Sequence, residues 1–232
     1  MSSDIPVSMA QRKRQLVSDE LSEAALQLLA LKGFDAVTID EIAATAGVSK
    51  RTFFRYFASK EDVVVQFLAD MGTGIRTELA ARPAEEPPSV ALRHSVWVSM
   101  AACAAPPGHS DRALRVVQLI LRTPALRARF LERQDQWRGD LAAELAQRLD
   151  LAPDTALYPQ LAAGMALTAF DAVLQRWSGS DGVEDPAELI DRAFTTIAPA
   201  LDAVPSESVG TGKGGNEASL SERRQPPGAG SR

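Results

Sequence analysis

The sequence predicts an all-α fold, and three observations support this expectation. Ala, Leu and Arg are plentiful while aromatic residues make up only 6% of the 232 residues, a composition that favours helices over a β-sandwich. Apolar residues recur at intervals of three and four through most of the chain. Pro and Gly residues interrupt this pattern at 83–88, 105–109, 123–124, 152–153 and 179–186, which separates one predicted helix from the next.

The chain divides into four predicted zones. We expect a flexible lead over 1–11, a unit of short helices over 12–59, longer helices over 60–203 and a disordered tail over 204–232. The tail is rich in Gly, Ser and Pro and has no aromatic residue. Such a segment cannot bury enough apolar surface to offset the entropy lost on ordering.

Several classes of protein are disfavoured by what the sequence lacks. The chain has one cysteine, Cys103, and two histidines, His94 and His109. This leaves little material for a disulfide framework or a Cys/His metal site, so we expect no metal and no cofactor. No phosphate-binding loop, nucleophile-elbow or zinc-protease pattern occurs, and we predict no catalytic residue and no enzymatic activity. We find no signal-peptide pattern and no uncharged run as long as a membrane helix, which predicts a cytoplasmic protein without a membrane partner.

The net charge of −5 is unevenly distributed. Residues 1–60 carry a net charge of +1 and residues 61–232 a net charge of −6. Lys and Arg cluster at 12–14 and again over 47–60, where no acidic residue occurs. A small basic surface on an acidic body is compatible with a protein that binds DNA through one end.

The predicted unit over 12–59 contains three helices. The first runs from Arg12 to Lys32 and is ended by Gly33. Thr38 caps a second helix, with Glu41 completing a capping box, and Ser49 caps a third that runs to Tyr56. Ser59 caps a fourth helix, which leads into the larger domain. The apolar stripe predicted for the first helix consists of Val17, Leu21, Ala24, Leu28 and Leu31.

The second and third helices are joined by a turn that contains Gly47, with Val48 filling the junction. This is the helix-turn-helix arrangement, in which the second helix of the pair lies in the DNA major groove. Phe53 and Phe57 are expected to point into a small core. The residues that would then face outward are Lys50, Arg51, Phe54 and Arg55. Thr52 and Tyr56 would lie on the flanks of this helix. Cations that neutralise phosphates or read guanine, beside an aromatic ring that meets a thymine methyl, suit DNA binding.

The residues of this region resemble the TetR (tetracycline-repressor) family of transcriptional regulators. The resemblance rests on residues 33–43 (GFDAVTIDEIA) and 46–63 (AGVSKRTFFRYFASKEDV), which have the family's spacing of glycines, caps and aromatic residues. Beyond this region the chain matches only in helix pattern and length. The resemblance implies an N-terminal three-helix DNA-binding domain followed by a larger helical domain for ligand binding and dimerisation.

The resemblance also implies roles for individual residues. Lys50 and Arg51 fall where the family reads bases, and Phe54 falls where tyrosine is common, so it keeps only the apolar contact. The remaining expected DNA-binding residues are at caps or near phosphates: Thr38, Ser49, Thr52, Arg55, Tyr56 and Lys60. Alternatives stay open, because Thr38 can be a plain N-cap, Tyr56 can cap the small core, and the cations can be merely solvated. Arg12 and Arg14 reach phosphate only in the less favoured of two interpretations.

For the larger domain, the resemblance implies a homodimer that pairs the helices at about 154–178 and 186–203. It also implies an effector cavity among the preceding helices. The candidate lining residues are Trp97, Met100, Phe130, Trp137, Phe170 and Arg122. Arg115, Arg122 and Arg129 recur every seven residues, and this raises the hypothesis of an anionic effector, against the simpler interpretation of a solvated helix face.

The function predicted from the sequence is a dimeric repressor that binds a double-stranded DNA operator and is released by a small-molecule effector. A transcriptional activator is the main alternative. A helical protein-binding module that does not bind DNA is a further alternative, but it would leave the outward face of the third helix without a purpose.

Overall fold

A computed structural model describes residues 8–104, 109–151 and 157–204. Within these residues the chain forms nine α-helices and no strand, so the predicted all-α fold is confirmed. The helices are α1 (Met9–Lys32), α2 (Ile39–Thr45), α3 (Lys50–Tyr56), α4 (Lys60–Ala81), α5 (Pro88–Ala104), α6 (His109–Arg122), α7 (Pro124–Arg148), α8 (Leu157–Gly179) and α9 (Pro186–Leu201).

The ends of the predicted zones need two corrections. Helix α1 begins at Met9 because Ser8 and Gln11 form a reciprocal capping box, so residues 9–11 are helical and not part of a flexible lead. At the other end, Val204 is partly buried against the core and does not belong to a disordered tail. Residues 1–7 and the predicted tail from 205 onward lie outside the described residues.

Helices α1, α2 and α3 surround a small core. Leu21, Ile42 and Phe53 are fully buried there, and the rings of Phe53 and Phe57 lie 5.7 Å apart between centroids. The predicted stripe of α1 is only partly correct. Leu31 is exposed, whereas Leu26 and Leu29 are buried. The reason is that α1 packs against α4 and α6 as well as α2, so it buries more than one face.

Helix α4 connects this unit to the remaining helices and packs against α1, α5 and α7. Its contact with α7 is close at Gly72, where an added Cβ would lie 1.9 Å from Nε1 of Trp137. Trp137 is buried and its indole also meets the ring of Phe130 edge-on. Glycine at this position therefore allows α4 and α7 to approach around a bulky indole.

Helix α8 is the most buried of the long helices and packs against α7 and α9. By length and composition alone it could cross a membrane, but 56% of its apolar window is buried inside the fold. Tyr158 at its start donates a hydrogen bond to the carbonyl oxygen of Leu201 at the end of α9. Burial, and next the nearby negative charge of Asp202, raises the pKa of Tyr158 to about 12.

Candidate nucleic-acid interface and ligand cavity

The turn between α2 and α3 has the geometry that the sequence predicts. Gly47 has φ +66°, in the left-handed region that favours glycine. The hydroxyl of Ser49 accepts a hydrogen bond from the backbone N–H of Thr52 at 3.1 Å and lies 2.9 Å from the Thr52 hydroxyl. At the other end of the turn, the backbone N–H of Val48 donates to the carbonyl oxygen of Ala43 at 2.9 Å. Short-range hydrogen bonds therefore fix both ends of the turn between α2 and α3.

Helix α2 has the predicted N-cap but not the predicted capping box. The hydroxyl of Thr38 accepts a hydrogen bond from the backbone N–H of Glu41 at 3.2 Å. The carboxylate of Glu41 pairs with Lys32 at the end of α1 instead of returning to the cap. The acidic side chain thus ties α2 to α1, and the hydroxyl of Thr38 stays on the exposed surface.

The outer face of α3 carries cations around an exposed aromatic ring. Phe53 is fully buried, whereas the next residue, Phe54, is 49% exposed and meets the ring of Phe53 edge-on. Lys50, Arg51 and Arg55 are exposed on the same helix. One side of the Phe54 ring packs on Phe53 and the other stays exposed among cations, an arrangement that suits contact with a nucleic acid.

The cations of α3 have weak partners within the protein. Lys50 Nζ lies 2.8 Å from Oδ2 of Asp40, and both side chains are well exposed. Pairs of this kind are worth about 0–1 kcal/mol and are readily exchanged for another anion. The guanidinium carbon of Arg55 lies 5.2 Å from the centroid of the Tyr56 ring, within the range of a cation–π contact.

Tyr56 borders a surface notch that was not predicted from the sequence. Its lining residues come from the first turns of α1 and the end of α3: Gln11, Arg12, Arg14, Gln15, Ser18 and Tyr56. Two arginines and a phenol around one open notch make a favourable site for an anion such as a backbone phosphate.

Lys60 is the first residue of α4, and its side chain contacts the protein itself. Its ammonium nitrogen donates to the carbonyl oxygens of Phe34 at 2.5 Å and Val37 at 3.0 Å, and it lies 4.4 Å from the centroid of the Phe34 ring. The side chain is partly buried. These contacts give Lys60 a structural role, because it fastens the turn between α1 and α2 to the first residue of α4.

A narrow apolar cavity lies between α1, α4, α5, α6, α7 and α8. The volume of this cavity is about 40 Å³, which is enough for a few water molecules and less than most ligands need. Of the six residues expected to line it, Met100, Phe130 and Phe170 do so. The described lining residues also include several that the sequence did not single out, among them Leu26, Phe67, Met71 and Arg112.

The other three expected lining residues lie elsewhere. Trp137 is held against Gly72 in the interface of α4 and α7. Trp97 lines a separate open cleft next to the turn between α8 and α9. Arg122 is 67% exposed and lies 3.8 Å from Asp181. The three arginines that recur every seven residues therefore do not converge on the cavity. Arg129, for example, pairs with Glu132 on its own helix at 2.9 Å.

Comparison with known proteins identifies the family. The model described as bacterial regulatory proteins, tetR family, matches residues 21–67, and the model described as the MftR C-terminal domain matches residues 86–202. The chain belongs to the TetR family of transcriptional regulators. The sequence-based assignment to this family is confirmed, as is its expected function of DNA-binding transcriptional regulation.

Two relatives in the TetR family match most of the chain. The HTH-type transcriptional regulator TcmR of Streptomyces glaucescens is 30% identical over 200 residues, which cover 84% of this chain and 88% of the relative. A protein of Mycobacterium tuberculosis named as the mycofactocin biosynthesis transcriptional regulator MftR is 28% identical over 201 residues, with 82% and 94% covered.

Solved structures of other transcriptional regulators share the fold. The fatty acid degradation regulator FadR from Bacillus halodurans superposes with a TM-score of 0.59 at 23% identity and covers 78% of this chain and 94% of its own. FadR from Bacillus subtilis, solved in complex with stearoyl-CoA, has a TM-score of 0.58 at 21% identity, with 78% and 97% covered. At these identities the likeness concerns the fold alone.

Proposed function

We propose that the protein acts in the cytoplasm as a homodimeric repressor whose two α3 helices occupy successive major grooves of an operator. A small-molecule effector bound in the apolar cavity would release it. The observation that carries the proposal is the outer face of α3, where exposed cations surround the half-exposed ring of Phe54. Two-fold dimers of helix-turn-helix proteins read half-sites about one helical turn apart.

Within this proposal the residues of the interface divide into two groups. Lys50, Arg51 and Phe54 face the groove, where a cation can bond to guanine and the ring can meet a thymine methyl. Lys50 would exchange Asp40 for DNA at little cost, because their pair is exposed. The residues placed near phosphates surround the caps of α2 and α3 and the notch beside α1: Thr38, Ser49, Thr52, Arg55, Tyr56, Arg12 and Arg14. Lys60 would act indirectly, through the turn that it holds.

The proposed dimer forms through α8 and α9. Helix α8 has an outward stripe that begins with the exposed Leu157 and Leu161 and continues with the partly buried Met165. Small residues on the same side, such as Gly164, favour a close approach of helices. On α9, Ala193 and Ile197 are partly buried and can join the interface, whereas Leu189 and Leu201 are buried within the chain and cannot. Exposed apolar stripes of this kind are typical of interfaces.

The effector would work by a shift of population. A ligand that binds the conformer with the wrong spacing between the two α3 helices lowers the affinity of the protein for DNA. Because the coupling is reciprocal, DNA lowers the affinity for the ligand by the same factor. The apolar lining of the cavity supports such a ligand site. The stearoyl-CoA bound in the related fold shows that the fold can take a small molecule in at least one protein.

The first experiment is fluorescence anisotropy with duplex DNA from the region upstream of the protein's own gene. A shuffled duplex of the same composition is the control, and both are titrated at several salt concentrations. We expect tighter binding to the native duplex and a steep loss of affinity with salt. Arg51→Ala should weaken binding to the native duplex by roughly 5- to 150-fold, since a base contact is worth about 1–3 kcal/mol.

A matched variant separates base contact from loss of charge. Arg133→Ala removes the same side chain from α7, where Arg133 donates to Gln136 one turn away, and should leave the native-to-shuffled preference unchanged. Equal affinities of Arg51→Ala and Arg133→Ala for the native duplex would refute the assignment of α3. Failure of the folded dimer to select any duplex from a random library would refute the DNA-binding function.

A further inference from the structure

Arg112 is the single charged residue among the described residues that line the apolar cavity. It lies in the first turns of α6 and is only 21% exposed at its side chain. Hydrophobic residues of α1, α4, α5, α7 and α8 supply most of the remaining lining, among them Leu26, Phe67, Met71 and Met100. A guanidinium at the edge of such a surface keeps its charge, so any ligand in the cavity has to satisfy it or cover it at a cost.

Glu23 of α1 pairs with this charge. Its Oε1 accepts a hydrogen bond from Nη1 of Arg112, across the contact between α1 and α6. The two partners differ in their surroundings, since the side chain of Glu23 is 54% exposed. The carboxylate therefore approaches from the solvent side, and water can replace Arg112 as its partner.

We propose that the cavity selects a monoanion with an apolar body, and that the acidic group of this ligand replaces Glu23 on Arg112. This inference deepens the proposed function by giving the chemical class of the effector, and it depends on that function only for the consequence at DNA. The site combines an apolar enclosure with one guanidinium, which can donate two parallel hydrogen bonds to a carboxylate or sulfonate. A cation would meet Arg112 with like charge, and a neutral ligand would leave Glu23 in place.

The size of the cavity sets a condition on binding. A space of about 40 Å³ admits a few water molecules, so a larger ligand has to displace side chains. Met71 and Met100 line the cavity, and methionine is the residue whose unbranched side chain adapts most readily. The apolar body of the ligand would therefore enter between α4, α5 and α6, with its acidic group at Arg112.

The exchange has a direct consequence for α1. Leu26 of α1 lines the cavity one helical turn after Glu23, so a ligand would act on α1 both by contact and by removing the ion pair. The same competition works in reverse. Because Glu23 and the ligand compete for one guanidinium, removal of the Glu23 charge should raise the affinity for an anionic ligand.

Two fluorescent probes test the charge selection. 1-Anilinonaphthalene-8-sulfonate carries one negative charge, and N-phenyl-1-naphthylamine has nearly the same apolar body without the charge. Both are titrated into the full-length dimer and into Arg112→Gln and Glu23→Gln. Arg115→Gln is the matched control, because Arg115 lies one turn further along α6 on the outer groove with Glu23 and Gln27 and does not line the cavity.

We expect Arg112→Gln to weaken binding of the sulfonate about tenfold, the value of one charge-assisted contact, and to leave binding of the neutral probe unchanged. Glu23→Gln should strengthen binding of the sulfonate severalfold without an effect on the neutral probe. Arg115→Gln should alter neither. The proposal would be overturned if the ratio of the two probe affinities were the same in the wild type and in Arg112→Gln. It would also be overturned if Arg115→Gln lost as much affinity for the sulfonate as Arg112→Gln does.

A second measurement separates this inference from the repressor function. Anisotropy of the native duplex is recorded with each protein as the sulfonate is added, and release should require less probe for Glu23→Gln and more for Arg112→Gln. A protein that fails to select DNA but keeps the probe preference that depends on Arg112 refutes the repressor and supports the cavity assignment. Normal DNA binding with a probe preference independent of Arg112 overturns the cavity assignment and leaves the repressor intact.

Discussion

Replacement of Lys60 by methionine tests whether this side chain holds the protein together or holds DNA. Its ammonium group donates to the carbonyls of Phe34 and Val37 and faces the Phe34 ring. Taken at the lower value of about 1.5 kcal/mol for each bond to a charged group, the two hydrogen bonds contribute about 3 kcal/mol. The cation–π contact adds about 0.5–1 kcal/mol, and ordering of the lysine costs about 1.5–2 kcal/mol.

The net stabilisation is therefore about 2 kcal/mol, which corresponds to a fall of about 4–8 °C in Tm for a chain of this size. Urea unfolding followed by circular dichroism measures the loss in Lys60→Met. Lys50→Met is the control, because its exposed pair with Asp40 is worth about 1 kcal/mol at most. If Lys60→Met unfolds like the wild type but binds all duplexes more weakly, Lys60 contacts phosphate and the structural argument is refuted.

Three further changes test the packing and the proposed dimer. Gly72→Ala should destabilise the protein by about 1–3 kcal/mol in urea unfolding, because its Cβ would overlap the Trp137 indole. Gly139→Ala is the control and should stabilise α7 by about 0.5–1 kcal/mol, because its Cβ would have no heavy atom within 4 Å. Equal effects of the two substitutions on the free energy of unfolding would contradict the close contact at Gly72. Leu161→Glu should give monomers in analytical ultracentrifugation, because the exposed Leu161 lies in the proposed seam, and a persistent dimer would place the interface elsewhere. Tyr158→Phe should cost about 1 kcal/mol of unfolding free energy by removing its hydrogen bond to Leu201, and an unchanged value would show that this bond contributes nothing.

The helix-turn-helix unit was predictable because its signals are local. Thr38 and Ser49 cap the helices they precede, and Gly47 adopts the positive φ that the turn requires. The alternation of Phe53 and Phe54 between core and surface follows from helical geometry on adjacent positions. Each of these features depends on residues a few positions apart, which is the range over which sequence patterns carry information.

The ligand cavity was only partly predictable because its lining depends on how distant helices are rotated against each other. Trp137 has the size and apolarity of a lining residue, but Gly72, on another helix, gives its indole a place in an interface. Arg122 and Arg112 lie on the same helix, and the packing of α6 against α1, α5, α7 and α8 decides which of them reaches the cavity. The outward turn of Leu31 has the same origin, since α1 packs against three other helices.

Two polar attachments add to the packing of α1 against α4 and α6 in setting the position of α3. Lys60 fastens the turn after α1 to α4, and Arg112 of α6 pairs with Glu23 in α1. Helix α2 packs against both α1 and α3, and the three helices share one buried core, so we expect α1 and α3 to move together. A ligand that takes Arg112 breaks one attachment and leaves Lys60 in place, so we expect the unit to pivot about the Lys60 contact instead of coming free. Loss of Lys60 should accordingly weaken DNA binding without any ligand, by widening the range of positions open to α3 before it meets the groove.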